Sequence, residues 1–200
     1  MSKVFVKESE GIYRLKVPFE DLYTSVFLIA NKQSYALVDC ATYDSDVEEY
    51  ILPALAEFGL RICDIKYLIL THNHGDHTGG LKRIKELMPK IEIVQKEEKL
   101  FERVYTYSLA GHTKDCIGVL DERTGTLISG DGLQGVGIGK YRCFLECKEE
   151  YLKTIEKIRE DKRIKNVLFS HAYEPWNTDG AFSREEVEKR LHDCVECVEK

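Results

Sequence analysis

The chain has 200 residues, the length of a single domain at roughly 100–200 residues per domain. Its 29 Lys and Arg against 35 Asp and Glu leave a net charge of −6, which argues against nucleic acid as a partner, since phosphate backbones call for a basic face. No run approaches the ~18 apolar residues of a membrane span, and the first ten residues carry no apolar signal core, so a cytoplasmic protein is expected, its seven Cys reduced thiols.

In chain order, strand-like runs alternate with helical patterns, the mark of a layered α/β domain. Val4–Val6, Ile12–Val17, Val26–Ala30 and Tyr35–Val38 read as strands. Val47, Tyr50, Ile51, Ala54, Leu55 and Phe58 then follow helical spacing, with a Ser45/Glu48 capping box, a stop at Gly59 and a kink at Pro53. Ile65–Leu70 is a strand and Leu81–Met88 a helix. Ile91–Val94, Val104–Leu109, Cys116–Leu120 and Thr126–Ser129 are strands. Tyr151, Leu152, Ile155 and Ile158 mark a helix, and Val167–Phe169 is a last buried strand. A helix capped by Ser183 and Glu186 closes the chain. With no linker or repeat, residues 1–200 read as one domain.

Three of the 6 His crowd into Thr71-His72-Asn73-His74-Gly75-Asp76-His77, on the loop leaving strand Ile65–Leu70. Loops at the carboxyl ends of strands are where α/β folds place their sites. His72 and His74, two residues apart, project to one side of an extended loop. Gly75 lets the chain turn before Asp76 and His77. One loop thus offers two imidazoles to one metal and a carboxylate with an imidazole to another. Such N and O donors suit zinc, iron or manganese. His112 follows Val104–Leu109, Asp131 follows Thr126–Ser129, and His171 follows Val167–Phe169. Four strand ends therefore each deliver a candidate ligand.

These motifs, with Asp39 after Tyr35–Val38, resemble in order those of the metallo-β-lactamase-fold hydrolase superfamily, in a style similar to glyoxalase II and unlike the true β-lactamases. The resemblance spans about residues 12 to 175. It implies an α/β fold in the form of an αβ/βα four-layer sandwich, two mixed β-sheets with helices outside. It implies that His72, His74 and His112 bind one metal, that Asp76, His77 and His171 bind a second, and that Asp131 bridges them. Asp39 would orient the ligand loop behind the ligands. Two divalent ions, zinc by default with iron or manganese as alternatives, would generate a bridging hydroxide at neutral pH. Asp76 would act as the catalytic proton carrier to the leaving group.

The expected enzyme is a binuclear metal-dependent hydrolase cleaving a small ester, thioester or lactone. Its partner is a small-molecule substrate, with no nucleic acid and no membrane; a homo-oligomer is compatible with it. Two other readings stay open: a mononuclear iron dioxygenase acting on sulfur species, which the same loop motif serves, and a metal-loaded binding protein without turnover. Tyr141, Arg142 and Tyr173 are candidates for the substrate pocket. Gly132–Gly139, with four Gly in eight residues, is either a substrate-admitting loop or a glycine-tolerant turn. His192, Cys194 and Cys197 on the last helix read as packing or surface residues.

Overall fold

The computed structural model describes residues 3–133, 144–172 and 176–199. It contains two compact units, residues 1–95 and 96–200. Each is built on a six-stranded mixed sheet.

Unit 1 opens with an antiparallel meander, β1 (Val6–Ser9), β2 (Ile12–Phe19), β3 (Leu22–Asn31) and β4 (Ser34–Val38). The links are too short for anything but hairpins. Glu20 and Lys32 take positive φ, 48° and 57°, to turn the chain. The first strand lies later than the expected Val4–Val6, because its ladder pairs Val6 to Ser9 with β2. A helical crossover then allows β5 (Ile65–Ile69) to lie parallel to β4, and another brings β6 (Glu92–Val94) parallel to β5.

The first crossover differs in detail from the expected helix. It runs as α1 (Asp44–Asp46), a π turn (Val47–Ile51) and α2 (Leu52–Glu57). The cap is not Ser45 with Glu48. The Asp46 carboxylate instead accepts the backbone N–H groups of Thr42 and Tyr43, at 3.0 and 2.9 Å. The kink expected at Pro53 appears as the π turn, where Leu52 N–H reaches back five residues to the Val47 carbonyl. Pro53 thereby falls in the first turn of α2, where its missing donor is not needed. The predicted stripe does bury. Val47, Ile51, Ala54 and Leu55 pack on Leu15, Val17, Val26, Leu28 and Leu37, all fully buried. The opposite sheet face, with Ile12, Phe27, Ile29, Ala36 and Val38, is equally buried. After β5 come α3 (Gly75–Thr78) and α4 (Leu81–Leu87).

Unit 2 pairs β7 (Lys99–Phe101), β8 (Val104–Ser108), β9 (Ile117–Asp121) and β10 (Thr126–Gly130) antiparallel. Helix α5 (Lys148–Glu160) crosses to β11 (Asn166–Phe169), parallel to β10, and β12 (Gly180–Ala181) and α6 (Arg184–Glu199) follow. Tyr151, Ile155 and Ile158 of α5 and Val187, Leu191 and Cys194 of α6 cover Leu120, Leu127 and Val167 of the sheet. The predicted α6 cap is present: Ser183 Oγ accepts Glu186 N–H at 3.2 Å, and the Glu186 carboxylate accepts Phe182 N–H at 2.6 Å. Among the described residues no helix is long and apolar enough to cross a membrane.

Candidate metal centre

In unit 1 the clustered His segment leaves the end of β5, and its support comes from the end of β4. Asp39 is fully buried with φ 63°, a backbone state that Asp tolerates better than most residues. Its Oδ1 accepts Thr71 N–H at 2.8 Å, and its Oδ2 accepts the Thr71 hydroxyl at 2.9 Å. The same Oδ2 lies 2.7 Å from His77 Nδ1. A carboxylate only accepts, so His77 donates from Nδ1 and its Nε2 keeps a lone pair. Thr71 Oγ1, its proton given to Asp39, stands 3.1 Å from His72 Nδ1 and accepts there, which puts the ring's lone pair on His72 Nε2. His72 Nε2 lies 3.0 Å from His74 Nδ1, and His77 Nε2 lies 3.5 Å from Asp76 Oδ2.

The loop is locked from behind. Cys40 N–H reaches the His77 carbonyl and Gly79 N–H the Ala41 carbonyl, at 2.8 and 2.9 Å. Only glycine fits at Gly79, where a Cβ would stand 1.7 Å from the Thr42 carbonyl oxygen. Asn73 accepts from Gln95 Nε2 at 2.8 Å, which ties the loop to the end of β6. Cys40 is buried, gives its S–H to the His77 carbonyl at 3.3 Å, and has its pKa pushed up by burial and by the Asp39 charge. It is a packing residue of the unit 1 core.

In unit 2, His112, Asp131 and His171 come from the segments after β8, β10 and β11. His112 is buried, and its Nδ1 donates to the Phe144 carbonyl at 2.8 Å, which leaves Nε2 facing Asp131. The segment holding Phe144 is pinned beside it: Glu146 N–H bonds the His112 carbonyl at 3.2 Å and Cys147 N–H the Gly111 carbonyl at 3.1 Å. Gly111, φ 140°, has Tyr151 Cα 2.5 Å from where a Cβ would be. Asp131 points one oxygen each way. Oδ2 lies 3.9 Å from His112 Nε2 and Oδ1 lies 3.4 Å from His171 Nε2.

These donor sets fit a small divalent cation. With bonds of about 2.0–2.1 Å, two ligands on one tetrahedral ion stand roughly 3.3–3.4 Å apart. The imidazole–imidazole and imidazole–carboxylate spacings within each unit, 3.0 to 3.9 Å, scatter about that edge. His77 and His112 each give their other nitrogen to a fixed oxygen acceptor, the usual outer support of a metal-ligating His.

The comparisons agree with this chemistry. The family model of the metallo-beta-lactamase superfamily matches residues 20–103, the stretch holding Asp39 and the clustered His loop. Solved metallo-β-lactamases share the fold: that from Pontibacter korlensis superposes with a TM-score of 0.73 at 13% identity, covering 98% of each chain. That from Erythrobacter litoralis gives 0.70 at 17% identity and 96% of each. The fold is therefore that of the metallo-β-lactamases, and over residues 20–103 the chain is similar to their superfamily. Within that class it is similar to hydroxyacylglutathione hydrolases: 28% identical over 191 residues to that of Vibrio cholerae serotype O1 (87% of this chain, 71% of the relative), and 28% over 204 residues to that of Methylococcus capsulatus (92% and 76%).

Of the other residues singled out, His192 is exposed beside Glu196 at 3.3 Å, and Cys194 is in the α6 core face. Tyr141, Arg142, Tyr173 and most of Gly132–Gly139 lie outside the described residues. Sequence reasoning missed Phe144. Its contribution to His112 is a backbone carbonyl, which no residue type announces.

Proposed function

We propose that this chain is a dinuclear, zinc-dependent hydrolase of small carboxylic thioesters and esters, acting as one domain over residues 1–200. His72, His74 and His112 would hold one ion, Asp76, His77 and His171 the other, and Asp131 would serve both. The observation that carries the reading is Asp131, whose two oxygens face His112 and His171 separately, one from each ligand set. A carboxylate shared in this way offsets the repulsion of two cations about 3.5–4 Å apart.

When bound, the two ions lower the pKa of water toward ~7 and polarise the scissile carbonyl. The remaining work belongs to side chains. Asp39 and Thr71 hold the imidazole tautomers. Asp76, with Oδ2 turned to His77 and a side chain 18% exposed, takes the proton released by the attacking water at its other oxygen. It returns that proton to the sulfur or oxygen that leaves, so that one water and one thioester give a carboxylic acid and a thiol. The thioester class is supported by the hydroxyacylglutathione hydrolases among the relatives. A cytoplasmic setting is supported by similarity to a cytoplasmic hydroxyacylglutathione hydrolase of Arabidopsis thaliana, 33% identical over 67 residues (32% of this chain, 26% of the relative).

Elemental analysis of the purified protein should find two zinc per chain, and Asp131→Ala should lose at least one. Retention of both ions by the variant contradicts the shared carboxylate. A single iron per chain, with oxygen uptake on a persulfide, moves the reading to the dioxygenase. A substrate panel of S-lactoylglutathione, short acyl thioesters, aryl esters and lactones, ranked by kcat/KM, should place thioesters at the top.

A further inference from the structure

His171 lies on a loop of unit 2 that the fold closes twice. At the base, Phe169 N–H bonds the Asp179 carbonyl at 2.9 Å, and Val167 and Leu168 of β11 pair with Ala181 and Gly180 of β12. The second closure is aromatic. The Trp176 ring stacks on the Phe169 ring, with centroids 4.9 Å apart and planes 30° from parallel. Phe169 stands two residues before His171 and Trp176 five after it. The stack therefore joins the two arms of the loop that carries the imidazole.

Helix α6 holds Trp176 in turn. Its indole Nε1–H donates to Asp193 Oδ2 at 2.8 Å, and the Arg190 guanidinium lies over the ring, 5.2 Å from its centroid. The same helix is fixed in the unit 2 core by Val187, Leu191 and Cys194. Helix, indole and Phe169 form one line of contacts that ends two residues from His171, whose Nε2 stands 3.4 Å from Asp131 Oδ1. A stacked aromatic pair stabilises beyond the area it buries. A loop closed beforehand also spares an incoming ion the entropic cost of ordering its ligand.

We infer, on the dinuclear reading proposed above, that Trp176 is a positioning residue for His171. Its contacts with Phe169 and α6 preset the loop and so raise the affinity of the ion that His171 binds. Trp176 is the single Trp of the chain, so its emission reports on this loop.

The test follows zinc binding by competition with a chromogenic chelator and by tryptophan emission. His171→Ala identifies which of the two equivalents His171 holds. That equivalent should bind about tenfold more weakly in Trp176→Ala, with the other unchanged. Trp176→Phe keeps a ring for Phe169 but loses the donor to Asp193, and should recover part of the loss. Asp193→Asn keeps an acceptor for the indole N–H and should match wild type, whereas Asp193→Ala should not. Wild-type emission should change as the His171 equivalent binds, and that change should vanish in His171→Ala. Ile158→Ala, a truncation of the α5 core face, is the control for lost stability, and it should retain both equivalents at wild-type affinity. A Trp176→Ala protein that melts lower but keeps both affinities overturns the inference, as does an equal loss of the same equivalent in Ile158→Ala. If Trp176→Ala does not fold, Trp176→Phe and Asp193→Ala decide by the same readout. A single bound ion, weakened in Trp176→Ala and lost in His171→Ala, refutes the dinuclear reading and leaves the positioning role standing. Zinc binding that ignores His171→Ala refutes both.

Discussion

At the scale of single residues, the most consequential group touches no metal in our assignment. Asp39 accepts three hydrogen bonds, from Thr71 N–H, the Thr71 hydroxyl and His77 Nδ1–H, and so settles which nitrogen of two imidazoles is available. Asp39→Asn keeps the shape and tolerates the positive φ of 63° but sets an NH₂ group against donors. Zinc affinity should fall about 10–100-fold in competition with a chromogenic chelator, while the circular dichroism spectrum stays native. Unchanged affinity would mean that the Thr71 hydroxyl alone fixes the rings. The place of Asp39 at a strand end was legible in the sequence, whereas its three hydrogen bonds to Thr71 and His77 appear only in the structure. The role of Thr71 as the intermediary to His72 was not legible, because Thr before a His is a common pair and only the 3.1 Å approach gives it meaning.

Among the elements, the helices show where pattern reading holds and where it stops. The capping pair of α6 is local, three residues apart, and appears as expected. The end of α5 is finished by a residue from elsewhere. Arg184 donates to the carbonyls of Arg159 at 2.6 Å, Ile164 at 3.1 Å and Ile158 at 3.4 Å, and it pairs with Glu188. These acceptors are the orphan carbonyls of a helix end and the turn after it, where a cation is also favoured by the helix dipole. Arg184→Ala should cost about 1–3 kcal/mol, read as a lower urea midpoint at unchanged slope. Arg184→Lys should restore only part of it, since an ammonium lacks the fork that spans several carbonyls. A midpoint equal to wild type in the alanine variant would show that water caps α5 equally well.

For the molecule as a whole, unit 2 carries carboxylates that titrate below their ordinary range. Asp161 is held down chiefly by its bonds to the Arg163 guanidinium, at 2.9 and 2.6 Å, against some burial. Glu97 is held down by Ser108 N–H at 2.9 Å and then by Lys157 at 3.0 Å. A carboxyl depressed in the folded state stabilises above its unfolded pKa, and that contribution drains away as the pH falls through the folded value. The pairs are partly exposed, so each is worth under about 1 kcal/mol. Asp161→Asn should therefore melt about 1–3 °C below wild type at pH 7, and the gap should close as the pH drops below about 4. A gap that widens in acid would reverse the sign and exclude this origin.

The sequence by itself determined the identities of the candidate ligands and the strand ends that present them. Ligand type, glycine placement and alternating apolar runs are local properties of the chain. It also determined the amphipathic faces of the helices, which bury as their periodicity requires. Other features were decided only by tertiary structure. Strands β7 and β12, of three and two residues, are too short to show a period and exist because a neighbouring strand offers partners. The cap before α1 went to Asp46 because its carboxylate reaches two N–H groups, where Ser45 and Glu48 offered only a pattern. The facing of Asp131 toward both His112 and His171, and the aim of His112 by a carbonyl 32 residues away, depend on where backbone groups meet in space. Every residue carries such a carbonyl, so the chain order holds no sign of which one will be used.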